Sequence, residues 1–215
     1  MGFVMLGIST LTEFGINAAI FGMVAHGLIT GMLFFVAGSV KHRYHTLEIK
    51  RLSGMLIQAP RLGWILGFAA MASLGLPGLA GFWGEFPAIL AAYNPGFGLS
   101  TALFRTLMVI AAVGTVLAAG YLLWLYQRTA FGEPSDEFTS HGSGHGGVAH
   151  SLSSAANADT DEHHDEIYDV TPIEWIAWTP FLLGIVVFGV YPQLLFKVIN
   201  PAVTELVANL GRSLG

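Results

Sequence analysis

The chain has 215 residues, 53% hydrophobic and 11% charged, with a net charge of −5 and a mean hydropathy of +0.63. Soluble domains carry about 25% charged residues, so this composition excludes an ordinary water-exposed surface and points to lipid. With no cysteine in the sequence, disulfides, thiolate metal sites and thiol nucleophiles are excluded as well.

The first element expected in chain order is a short helix over Gly2 to Ser9. Met1 to Thr12 is apolar but lacks a basic leading region and a small-residue cleavage site, which argues against a cleavable signal peptide. A second helix is expected from Asn17 to Val40, within a 27-residue stretch from Phe14 to Val40 that contains no Asp, Glu, Lys or Arg. Leu62 to Gly84 (23 residues), Thr106 to Gln127 (22) and Trp175 to Phe196 (22) are likewise uncharged. About 20 apolar residues at ~1.5 Å each cross a ~30 Å hydrocarbon core, so each run is long enough to span. The third, fourth and fifth helices are expected over Leu62–Tyr93, Thr101–Thr129 and Pro172–Ile199. Pro172 suits a helix's first turn, and Asn94-Pro95-Gly96 reads as a turn.

Lys41, Arg43, Lys50, Arg51 and Arg61 are five of the nine basic residues, and the loop that holds them should face the cytoplasm. The Tyr93–Ser100 loop has none and should face outward. Trp64, Trp175, Trp178, Tyr93 and Tyr191 stand near expected span ends, where interfacial aromatics gather. The expected organisation is membrane helices over 1–130, an acidic His-rich cytoplasmic loop over 131–171, and a C-terminal membrane helix with a tail over 172–215. The loop holds nine of the fourteen acids and five of the eight histidines, with no Lys or Arg. His141, His145, His150, His163 and His164 invite a metal reading, but without helical i, i+4 spacing the segment reads as a solvated linker, and no metal site is expected.

The third helix is interrupted by Gly75-Leu76-Pro77-Gly78. Proline removes a backbone bond and clashes with the preceding turn. Breaks at membrane depth persist only where protein or a water-filled cavity satisfies the freed groups, and transporters build ion sites on them. Glu85 lies two turns further along the same span. An ionisable group there is costly and is a candidate working residue. The competing reading is a structural acid paired with Arg105. His26 is the one ionisable residue inside the second span, with Thr30 four residues on and on the same face. Histidine titrates near neutral pH, so His26 is a candidate proton relay, against the plain reading of a histidine bonded to a carbonyl. Glu13 at a turn, and Glu205 and Arg212 in the expected tail, read as solvated. There is no phosphate-binding glycine loop, no Ser-His-Asp signature and no basic patch suited to nucleic acid.

Ala25-His26-Gly27-Leu28, Arg43-Tyr44-His45-Thr46, Gly75-Leu76-Pro77-Gly78 and Phe82-Trp83-Gly84-Glu85-Phe86 together resemble the second half of the antiporter-like subunits of respiratory complex I, in particular the subunit M or chain 4 branch. The resemblance covers most of the chain outside the His-rich loop. It implies an all-α integral membrane fold of about five transmembrane helices including one broken helix, the tenth to fourteenth of fourteen, with most of the second inverted repeat in 1–130. It implies that Glu85 is the terminal proton site, where sister subunits L and N usually carry lysine, and that His26 lies on a central hydrophilic axis. It also implies a multi-pass subunit of the cell (inner) membrane, in contact with lipid and with other membrane-arm subunits including L and N. Such a subunit holds no redox cofactor, while NADH and quinone are used by the whole complex. A full subunit is more than twice this length, and its entry-side glutamate and lysine and a further central lysine belong to helices not found here. The alternatives are a subunit of a multisubunit sodium/proton antiporter or membrane-bound hydrogenase, a structural or assembly membrane protein, and a metal-handling protein using the histidine loop.

Overall fold

A computed structural model describes residues 1–135, 138 and 167–214. Among these the secondary structure is helical: α1 (Gly2–Ser9), α2 (Glu13–Tyr44), α3 (Met55–Gln58), α4 (Pro60–Ser73), α5 (Ala80–Ala91), α6 (Thr101–Ala130), α7 (Pro172–Val190) and α8 (Gln193–Leu214). Glu13–Tyr44, Thr101–Ala130, Pro172–Val190 and Gln193–Arg212 are each long and apolar enough to cross a membrane. α4 and α5 form one interrupted apolar segment, broken between Ser73 and Ala80. The histidines of the 131–171 segment lie outside the described residues.

Local chemistry sets the helix ends. Thr12 caps α2, its hydroxyl accepting the Gly15 N–H at 3.1 Å. Lys41, His42 and Arg43 occupy the last turn, where cations complement the carbonyl end of the helix. Thr171 and Glu174 form a reciprocal capping box at the start of α7, with Pro172 in the first turn, which satisfies two otherwise unpaired N–H groups. The third span breaks where the proline and glycines place the break. Gly75 and Gly78 take φ of +65° and +93°, conformations that cost a side-chain-bearing residue energy.

Two expectations change at the C-terminal end. The fifth helix does not run unbroken from Pro172 to Ile199. It stops at Val190 and restarts at Gln193, because Pro192 donates no N–H and pushes the residue before it out of the helical region; Tyr191 has φ −125°, ψ 69°. The segment carrying Glu205 and Arg212 is helix α8 rather than a tail, with Arg212 donating to Asn209 Oδ1 at 2.8 Å. Trp178 also differs from its expected place. It is buried in the core, not at an interface, and Tyr191 lies at the α7–α8 break; Trp64 and Tyr93 stay exposed.

α2 is the hub, packing on α1, α4, α5, α7 and α8. Its buried face, with Phe21, Ile29, Met32 and Val36, joins Leu62, Ile65 and Ala69 of α4 and Ile185 of α7 in one core. α6 is largely exposed and apolar, a face suited to lipid or to a neighbouring subunit. The two ends of the bundle differ. At one end Arg43 meets Tyr168 and Glu174, Gly54 N–H donates to Phe131 O and Arg61 N–H donates to Asp169. This end gathers the basic 41–61 loop and the Arg128 end of α6. At the other, Gly96 N–H donates to Thr10 O at 2.9 Å and Gly211 lies against Phe97. The Lys and Arg of the 41–61 loop thus lie at one end of the bundle, opposite the Tyr93–Ser100 loop.

Candidate functional site in the broken helix

Glu85 stands on α5 just beyond the break, half-buried. A glycine pair brings its helix onto α2. A Cβ built on Gly84 would run into the Gly22 backbone, and one on Gly22 would lie 3.3 Å from Gly84 Cα. Only hydrogen at these positions lets the two backbones come so close. Gly81 makes the second close approach, against the Ala72 carbonyl at the end of α4. The residue that accommodates the Glu85 side chain is Gly75. A Cβ there would sit 2.6 Å from Glu85 Oε2 and 3.2 Å from its Cδ. The carboxyl therefore lies directly on the broken backbone.

A cavity of about 110 Å³ opens beside it, lined by Glu85, His26, Thr30, Ser73, Gly84 and Gly22 among others. Glu85 and His26, 59 positions apart in the sequence, thus face one space. Thr30 Oγ1 lies 3.4 Å from both ring nitrogens of His26, a long contact for a hydrogen bond. Roughly 30 Å³ is one water's share of liquid volume, and the cavity has polar walls at Glu85, His26, Thr30 and Ser73. It can hold a short water chain between the acid and the imidazole.

Arg105 does not neutralise Glu85. Its Nε donates to the Tyr93 carbonyl at 3.3 Å and its guanidinium lies over the Tyr93 ring at 4.5 Å. Among the described residues Glu85 has no ion-pair partner. The break itself is covered by α7: a Cβ on Gly189 would strike the Gly78 carbonyl and Leu79 Cα, and Trp83 Nε1 donates to Gly189 O at 2.8 Å. Protein thus packs over the interrupted backbone on one side while the cavity lies on the other, as an irregular segment at membrane depth requires.

A second polar cluster escaped the sequence reading. Arg43, with a side chain 1% exposed, forms a bidentate pair with Glu174 of α7, Nη1 to Oε1 at 2.9 Å and Nη2 to Oε2 at 2.6 Å. Its Nε donates to Tyr168 O at 2.7 Å, and its Nη groups also reach Ser39 O and Asp169 O. Glu174 further accepts from the Ser39 hydroxyl at 2.6 Å and from Thr171. Asp169 caps α4, accepting the N–H groups of Arg61 and Leu62. In the sequence Arg43 stands out only through the Arg-Tyr-His-Thr motif and its charge. The one sequence signal for its partner was the Thr171/Glu174 capping-box spacing.

Comparison with known proteins gives a consistent answer. Residues 1–119 match the family model described as NADH:quinone oxidoreductase/Mrp antiporter, TM. The chain is 35% identical over 215 residues to NADH-quinone oxidoreductase subunit M of Rhodobacter capsulatus, covering 100% of this chain and 36% of that protein. It is 32% identical to NAD(P)H-quinone oxidoreductase chain 4 2 of Synechococcus sp. (strain JA-2-3B'a(2-13)), with the same coverage. The chain thus spans about a third of the length of these relatives. A chain in the structure of respiratory complex I from Thermus thermophilus with bound NADH superposes with a TM-score of 0.74 at 28% identity, covering 99% of this chain and 37% of that one. A chain of the Mrp complex from Dietzia sp. DQ12-45-1b shares the fold, with a TM-score of 0.67 at 20% identity over 95% of this chain and 40% of its own length. The family match extends over more than half of the residues and takes in both Glu85 and His26, so this multi-pass membrane chain belongs to the NADH:quinone oxidoreductase/Mrp antiporter transmembrane family.

Proposed function

We propose that this chain supplies the terminal proton-transfer segment of a proton-translocating membrane subunit of NADH-quinone oxidoreductase, of the subunit M type. The observation that carries the reading is Glu85, free of an ion-pair partner among the described residues, seated on the broken backbone and sharing a cavity with His26. A carboxyl outside any salt bridge can exchange a proton without breaking one. An imidazole accepts and returns protons near neutral pH. In this reading His26 passes a proton through cavity water to Glu85, and Glu85 releases it toward the end formed by the α1–α2 and α5–α6 turns. The relay moves protons only. Electron transfer from NADH to quinone takes place in other subunits of the assembled enzyme, and subunits of the L and N types are the expected neighbours in the membrane.

The family description also covers Mrp antiporters. The relatives at 32–35% identity are quinone oxidoreductase subunits, whereas the Mrp likeness is one of fold; this favours the oxidoreductase. Proton movement dependent on sodium would reverse that choice. The paired test is Glu85→Gln and Arg105→Ala in the assembled complex. Glu85→Gln is expected to reduce NADH-driven proton pumping, and Arg105→Ala to leave it near wild type. A purely structural membrane protein gives the opposite pattern, with Glu85→Gln silent and Arg105→Ala destabilising.

A further inference from the structure

On the outer flank of the bundle, away from the Glu85 cavity, α4 and α7 diverge around a groove of about 430 Å³, within the usual range for small-ligand sites. Both helices begin at the basic end and run toward the membrane centre. The walls are apolar, with Phe68 on one side and Leu182 and Val186 on the other, and Trp64 and Trp175 stand toward the mouth. From Trp175 to Val186 the groove follows about 16 Å of helix at ~1.5 Å per residue.

The one charged residue of the lining is Arg61. Its side chain is 65% exposed, and among the described residues its ion-pair approach is a 3.9 Å contact to Asp169. That carboxylate is already committed to the backbone N–H groups of Arg61, Leu62 and Val170. Among the described residues the guanidinium therefore has donors to spare at the mouth of the apolar slot. It also lies at the end where Lys and Arg concentrate, level with two tryptophans of the kind that mark headgroup depth. A cation at the headgroup level above an apolar slot is the arrangement that anionic lipids recognise.

We infer that the groove between α4 and α7 is a binding site for an anionic glycerophospholipid, one acyl chain lying along Phe68, Leu182 and Val186 and the phosphate meeting Arg61. The charge selects the occupant. An apolar helix from another protein would fill the slot without using the exposed guanidinium, and a zwitterionic lipid brings an ammonium group beside the arginine.

Native mass spectrometry of the detergent-solubilised protein, titrated with phosphatidylglycerol or phosphatidylcholine, tests this. Wild type is expected to retain phosphatidylglycerol about fivefold more strongly than phosphatidylcholine, the preference one arginine near the surface provides. Arg61→Gln should abolish that preference, and Arg61→Lys should keep most of it. Val186→Trp, which fills the slot from a partly exposed position, should weaken retention of both lipids, with Val186→Ile as the folded control. Equal retention of the two lipids by wild type overturns the site. So does a preference that survives Arg61→Gln, or retention unchanged by Val186→Trp.

Discussion

At the scale of single residues, the arrangement around Glu85 depends on what its neighbours lack. Gly75 and Gly78 both hold positive φ in the break, but only Gly75 touches the carboxyl; a Cβ on Gly78 meets nothing within 4 Å. Gly75→Ala and Gly78→Ala should each lose about 1–2 kcal/mol of stability from backbone strain, read by thermal unfolding in detergent. Only Gly75→Ala should also displace the Glu85 carboxyl and lower proton pumping. Equal pumping by the two variants would disconnect the break from the acid. Glu85 and His26 were legible in the sequence as rare ionisable groups in uncharged runs. Their sharing of one cavity was not, because it arises from the Gly22–Gly84 crossing of two distant segments. Nor could the sequence decide between Arg105 and open space as the neighbour of Glu85. The sequence offers Arg105 as a partner, but the Tyr93 carbonyl and ring hold it.

Among the elements, the hidden organiser is the junction of α2 with α7. Arg43 is a buried cation whose donors all find oxygen. Removing one member of such a pair leaves an uncompensated charge, which costs about 3–5 kcal/mol. Arg43→Ala and Glu174→Ala should each cost about 3 kcal/mol or more, the double variant little more than either single one, and added salt should rescue neither. Clear additivity of the two losses in thermal unfolding would show that the residues act separately. Helix existence was readable throughout from uncharged runs, proline and glycine. The Arg43–Glu174 contact spans 131 positions and has no periodic signature. The α7–α8 break at Pro192 was legible in principle, since proline disfavours helix in the preceding residue. The apolar run through Trp175–Phe196 masked it.

For the whole molecule, the two ends differ in charge and in chain content. The absence of cysteine makes a single introduced thiol a clean reporter of sidedness. Asn94→Cys should react with a membrane-impermeant maleimide from outside intact cells, and Lys50→Cys only after permeabilisation; the reverse pattern would invert the bundle. The same orientation gives the proposed proton path its direction, from His26 through the cavity to Glu85 and then outward. The most direct measurement is the number of protons moved per NADH oxidised by the assembled enzyme in sealed vesicles, compared between wild type and Glu85→Gln with assembly verified. The account predicts a lower ratio for Glu85→Gln. An unchanged ratio at an unchanged rate of NADH oxidation would contradict it, and Glu85 would then be a costly acid with no part in proton transfer.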